Sequence, residues 1–193
     1  ARPEGKSSAE KGTTMPNAEE NHLTVLVAGA TGYIGGRLIP LLEQQDVALR
    51  CLARNPEKLQ SRFKITTQIV RGDVLDAASL RSAMEGVHTA YYLVHLMAGA
   101  KDFEQQDRQA AVNFAVAAKD AKVQRIIYMG GLGDDADPGL SPHLRSRHEV
   151  GRILRDSGAE VIEFRSAVVV GAGSLSFDLV KTLTDRLPIM ICP

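Results

Sequence analysis

The stretch LTVLVAGATGYIGGRL, which begins at Leu23, runs from an apolar segment through Gly29, Gly32 and Gly35 into a helical pattern. A chain that must leave a strand and enter a helix at once has few ways to do it. The first glycine permits the tight turn, the second lets the backbone approach a phosphate, and the third lets helix and strand pack closely. Backbone N–H groups at the helix start then face the anion. The spacing is GxxGxxG and not the commoner GxGxxG, but the same physics applies. The loop therefore predicts a bound dinucleotide, contacted by Gly29, Thr31, Gly32, Tyr33, Ile34 and Gly35, with the Thr31 hydroxyl as an added donor. Glycines that merely turn the chain are the competing reading, and the placement of the loop after the first strand argues against it.

From Leu23 onward, β-branched runs alternate with helical patterns. Strands are expected at 23–28, 48–52, 67–71, 89–94, 125–129 and 160–165. Helices are expected at 33–44, 77–84, 103–121 and 144–157, with a short turn at 56–60. This alternation specifies a parallel sheet with crossover helices. Strands such as LTVLVA and RIIYM are apolar on both faces, which fits burial beneath two helical layers. Right-handed crossovers leave a three-layer α/β fold, a doubly wound parallel sheet of order 3-2-1-4-5-6, as the expected architecture. Residues 1–22 are polar and aperiodic, so a loosely ordered tail is expected there. Residues 23–193 are expected to form the nucleotide-binding domain, and the apolar run LPIMICP at the end leads to the expectation that a substrate-binding part follows in a longer protein.

The second strand region, VALRCLAR, ends in Arg54 with no acid beside it. An acid at this place pairs with the ribose hydroxyls of NAD, whereas an arginine suits the 2′-phosphate of NADP. NADP is the expected cofactor, with NAD as the alternative, and Arg37 and Arg50 are further candidates for the phosphate.

Charge narrows the partner. The chain has 23 basic and 23 acidic residues among 193, which argues against bulk electrostatic binding to nucleic acid or an anionic membrane. A small-molecule substrate is the expected partner. Cys51 and Cys192 stand in no metal-binding or redox spacing, no apolar run is long enough for a membrane span, and no secretory signal order opens the chain, so a cytoplasmic protein is expected. Asp134, Asp135 and Asp137 lack the spacing of a calcium loop and are read as a solvated turn; no metal site is expected.

VAGATGYIG, RNPEKL, RGDVLD and IIYMGGLG together resemble the extended and atypical short-chain dehydrogenase/reductase superfamily, nearest to its NmrA-like and NAD-dependent epimerase/dehydratase-like members. The resemblance spans residues 23–173 and implies a Rossmann fold. It implies that Asp73 and Val74 contact the adenine, the aspartate accepting from its amino group, while Asp76 caps the next helix. It also implies that Leu93, Val94 and His95 pass beside the nicotinamide-side ribose.

In that superfamily a serine or threonine after the fifth strand and a YxxxK on the next helix transfer the proton. Lysine lowers the phenol's pKa from about 10 towards neutrality. This chain departs at all of these positions. Gly130 and Gly131 replace the hydroxyl residue, and His143 and Arg147 occupy the tyrosine and lysine places. One reading makes His143 the proton donor, with Arg147 holding ribose or phosphate; Arg147 is no base, because its guanidinium stays charged. The other makes the segment a solvated basic helix face. Two functions follow: an NADP(H)-dependent oxidoreductase, or a non-catalytic NADP(H)-binding regulator or redox sensor.

Overall fold

The computed structural model describes residues 23–95, 102–137 and 139–186; the tail expected at 1–22 and Cys192 lie outside the described residues. The parallel strands are β1 (Leu23–Ala28), β2 (Val47–Ala53), β3 (Gln68–Arg71), β4 (Thr89–Tyr92), β5 (Arg125–Gly131) and β6 (Glu160–Ser166). They lie in the order β3-β2-β1-β4-β5-β6, the doubly wound arrangement that the alternation predicts. The helices are α1 (Tyr33–Leu42), α2 (Ala77–Met84), α3 (Phe103–Asp120), α4 (Pro142–Arg155) and α5 (Leu175–Arg186), and a 3-10 turn at Pro56–Lys58 follows β2.

The two-sided apolar pattern of β1 explains the layers. Leu26 and Ala28 join one core with Leu80 of α2, Phe114 of α3 and Leu154 of α4. Val25 and Val27 join the other with Ile39 of α1 and Leu59. Each large aliphatic side chain buried in this way contributes about 1.5–3 kcal/mol over its exposed state. Ala110, Ala111, Ala117 and Ala118 are buried on α3, where their small side chains let the helix sit close to the sheet.

Local chemistry sets several boundaries. The Asp76 carboxylate accepts from the Ala78 N–H at 3.0 Å and caps α2. Ser141 accepts from the Leu144 N–H at 3.3 Å, and Pro142 fills the first helical position, where its missing N–H costs nothing. α4 therefore begins at Pro142, before the expected 144. β4 stops at Tyr92 and β5 continues to Gly131, paired with Ser166. Sequence patterning did not anticipate α5; the buried Ser174 opens it by accepting from the Phe177 N–H at 3.2 Å. No helix among the described residues is long and apolar enough to cross a membrane.

Candidate functional site

The glycine loop joins β1 to α1 at the carboxyl end of the sheet, where ligands bind in open α/β folds. Gly29 has φ +97°, and a Cβ there would lie 2.7 Å from the carbonyl carbon and oxygen of Leu93. A Cβ on Gly35 would lie 2.3 Å from the Gly29 oxygen and 3.0 Å from the Ala30 Cα. Positions 29 and 35 are thus each pressed against main chain and admit only glycine. Gly32 is an extended N-cap without a side-chain cap. The first intrahelical bond runs from the Gly36 N–H to the Gly32 carbonyl at 2.9 Å, which leaves the N–H groups of Tyr33, Ile34 and Gly35 open for an anion. Thr31 and Gly32 are exposed beside them. This cradle fits a pyrophosphate.

At the adenosine end, an open cleft of about 420 Å³ is lined by Arg54, Arg71, Gly72, Asp73, Asp76 and Ser79. One carboxylate oxygen of Asp73 accepts from the Leu75 N–H at 3.0 Å, and the Asp73 N–H donates to the Ser79 hydroxyl at 3.1 Å. The loop turn is thereby fixed with Asp73 at the cleft wall. Val74 is buried, and its carbonyl accepts from the Asn113 amide of α3 at 3.1 Å, which supports the cleft wall. Arg71 is a second such support: it donates to the Arg54 carbonyl at 3.0 Å and pairs with Glu57 at 2.5 Å. The exposed Arg54 side chain has no hydrogen-bond or ion-pair partner among the described residues.

Arg37 and Arg50 point elsewhere, and the expectation that either reaches a 2′-phosphate is corrected. Arg50 donates to the Ala83 and Glu85 carbonyls at 2.6 and 2.9 Å, at the far end of α2. Arg37 lies 3.8 Å over the Tyr33 ring and donates to the Ala172 carbonyl. A Cβ on Gly171 would sit 2.3 Å from the Tyr33 hydroxyl. β6 lies three strand spacings from β1, roughly 14 Å. The segment after β6 must therefore cross back over the ends of β5 and β4 to reach Tyr33, and it roofs the cleft.

Beneath that roof, the Leu93 N–H bonds the Ala28 carbonyl at 2.9 Å and continues the line of β4 to Val94 and His95. The His95 and His143 rings meet edge to face, with centroids 4.7 Å apart. Arg147 is 7% exposed. Its guanidinium donates to the carbonyls of Val94, at 3.3 Å, and Met129, lies 3.5 Å from Nδ1 of His95, and sits 4.8 Å over the Tyr128 ring. The Tyr128 hydroxyl donates back to the Arg147 carbonyl at 2.7 Å. The structure thus brings His95, His143 and Arg147 together at the ends of β4 and β5. Arg147 is not on a solvated face; it ties the two strand ends together.

The glycines in the hydroxyl position have steric reasons. A Cβ on Gly131 would meet Leu144 Cδ2 at 2.8 Å and Arg147 Cβ at 3.3 Å, and one on Gly130 would meet Glu163 Oε1 at 2.3 Å. Their absence lets α4 approach and carry Arg147 inward. His148, one turn-neighbour of Arg147, is buried; Nε2 faces the Gly131 carbonyl at 3.1 Å, and Nδ1 lies 2.8 Å from Asp135 but off the hydrogen-bonding direction. Asp135 stands in an exposed turn, as expected, and its carboxylate there faces His148 and, at 3.4 Å, Arg165.

Ionisation separates candidates from bystanders. Burial, then the Arg147 and His143 charges, lowers the pKa of His95, while Asp107 opposes the shift. Burial raises the Tyr92 and Tyr128 phenols far from neutrality, so neither replaces the missing tyrosine. Burial and the Glu43 charge push the Cys51 thiol up to about 12, which makes it inert as a nucleophile.

A parallel doubly wound sheet with a glycine cradle, an open helix N-terminus and an arginine at the end of β2 defines a dinucleotide-binding protein. Residues 29–167 match the NAD(P)H-binding family, and the chain belongs to it. It is 29% identical over 126 residues to cinnamoyl-CoA reductase 1 of Oryza sativa subsp. japonica, which covers 61% of this chain and 37% of that protein. It is 27% identical over 139 residues to an NAD(P)H azoreductase of Xenophilus azovorans, 72% of this chain and 43% of that protein. The Escherichia coli NADPH-dependent quinone oxidoreductase, solved with NADPH, superimposes with a TM-score of 0.62 at 26% identity, covering 74% of this chain and 48% of that one. The chain spans well under half the length of the curated relatives it matches.

Proposed function

We propose that this chain is the cofactor-binding part of a cytoplasmic reductase that prefers NADPH to NADH and reduces a small carbonyl, quinone or azo acceptor. The observation that carries the reading is that the carboxyl edge of one parallel sheet gathers an uncapped glycine cradle, an Arg54 without a partner among the described residues and the His95–His143 pair. The azoreductase and quinone oxidoreductase likenesses support the acceptor class.

When bound, the reduced nicotinamide supplies a hydride. The chain's residues do the rest. The N–H groups of Tyr33, Ile34 and Gly35 hold the pyrophosphate, and Asp73 and Val74 seat the adenine. Arg54 takes the 2′-phosphate through charge-assisted hydrogen bonds. Leu93 and Val94 line the nicotinamide side. His143 gives a proton to the acceptor atom that gains electrons and recovers it from solvent, a step suited to an imidazole near neutral pH.

Titration with NADPH and NADH, followed by fluorescence, tests the cofactor. NADPH binds more tightly, and Arg54→Ala weakens NADPH by about 10–100-fold, the loss of one or two charge-assisted bonds, while sparing NADH. Failure of both nucleotides to bind, or equal loss of both in the variant, overturns the reading. A second reading, a redox sensor without turnover, draws on Arg147: its guanidinium serves main-chain carbonyls where the superfamily's lysine would serve chemistry. Tight NADPH binding with no oxidation by a quinone, an azo dye or an aldehyde selects the sensor.

A further inference from the structure

We propose that Arg147 is a positioning residue that fixes His95 as its Nε2–H tautomer, so that His95 presents an N–H to the acceptor atom of the substrate beside His143. The inference rests on the reading of this cleft as the nicotinamide end of a reductase site.

A guanidinium has donors only. With Nη1 of Arg147 at 3.5 Å, Nδ1 of His95 is left as an acceptor, and the ring proton belongs on Nε2. The donor is held firmly. Its other contacts are the Val94 and Met129 carbonyls at the ends of adjacent strands and the Tyr128 ring. The His143 ring packs edge to face on His95 and braces it from the α4 side. Nε2 makes no hydrogen bond among the described residues, and His95, partly buried against Arg147 and His143, keeps exposed surface at the strand end, the place where an open α/β sheet receives its ligand.

The surrounding charges agree. Arg147 and His143 from α4 disfavour an imidazolium at His95, and burial acts in the same direction; Asp107 of α3 opposes them and is outweighed. The phenols of Tyr92 and Tyr128 are neutral. His95 is therefore a neutral donor that stabilises negative charge on an acceptor oxygen or nitrogen without giving up its proton. The transferred proton comes from the His143 side chain, as the acceptor gains an N–H or O–H bond.

Histidine-labelled protein, read by long-range 1H–15N NMR, tests this without turnover, with the His95 signals assigned through His95→Gln. Between about pH 6 and 8, the expected spectrum shows a bare Nδ1 and a protonated Nε2. A protonated Nδ1 overturns the proposal. Arg147→Met is expected to mix the tautomers and raise the titration midpoint; an unchanged tautomer in the folded variant overturns it. If burial of that site prevents folding, His143→Gln leaves Arg147 in place: the tautomer stays Nε2–H and the midpoint rises, and an unmoved midpoint counts against the pair. Saturation with NADP+ must shift the His95 ring signals, and still signals overturn the placement. Absence of NADP+ binding refutes the reductase reading instead, and the tautomer is then judged by the spectra alone.

Discussion

The glycine-loop end of the carboxyl edge of the sheet is built from main chain, and the β4–β5 end is built from side chains. Gly29 and Gly35 are held against the backbone of Leu93 and Ala30, and the open N–H groups of α1 follow from that geometry alone. At the other end, His95 comes from the segment that follows β4, Met129 and Tyr128 from β5, and His143 and Arg147 from α4. A backbone site tolerates almost no change at its glycines. A side-chain site can be rebuilt: where the superfamily it resembles carries hydroxyl, phenol and amine, this chain carries Gly130 and Gly131, His143 and Arg147, with close contacts at both glycines.

The contrast predicts a graded response to adding one Cβ. Gly35→Ala puts it 2.3 Å from the Gly29 oxygen and 3.0 Å from the Ala30 Cα, both main chain that cannot swing away. The expected result is about 3 kcal/mol of lost stability in urea unfolding, with loss of NADPH binding in any protein that folds. A stable variant that binds NADPH normally would break the claim that the cradle is fixed by backbone contact.

Gly131→Ser is milder, because the nearest atom is Leu144 Cδ2, the end of a flexible side chain, at 2.8 Å, with Arg147 Cβ next at 3.3 Å. A loss of about 1–2 kcal/mol in thermal unfolding is expected. The restored hydroxyl brings no gain in acceptor reduction, since the tyrosine and lysine it would serve are absent. A rise in turnover would show that the β4–β5 end can use a hydroxyl at this position.

The two ends also differ in how far the sequence discloses them. β1 and α2 are legible to the residue, and the strand order follows from alternation and handedness, because these depend on local periodicity and short-range caps such as Asp76. The glycine loop is legible for the same reason. Arg37 and Arg50 are not, since a long side chain's direction depends on partners far along the chain: Ala172 for one, Ala83 and Glu85 for the other. The sequence marks His143 and Arg147 by register, yet their meeting with His95 requires the β4–β5 pairing and the room that Gly131 leaves. Arg71 carries no sequence signal, as it supports the cleft through the Arg54 backbone carbonyl.

The smallest expected effect joins the two ends. Arg37 stacks on Tyr33 of the glycine loop and donates to Ala172 in the segment that roofs the cleft. Both contacts lie near solvent, where a cation–π pair contributes about 0.5–1 kcal/mol. Arg37→Met is therefore expected to speed nucleotide release by about 2–5-fold, measured by stopped-flow fluorescence. The decisive feature is the symmetry of that change. A roof latch releases NADPH and NADH faster by the same factor, because neither contact reads the 2′-phosphate. A loss confined to NADPH would return Arg37 to the phosphate site beside Arg54 and leave the roof held by Tyr33 and Gly171 alone, so that backbone packing, once more, would be what closes the glycine-loop end.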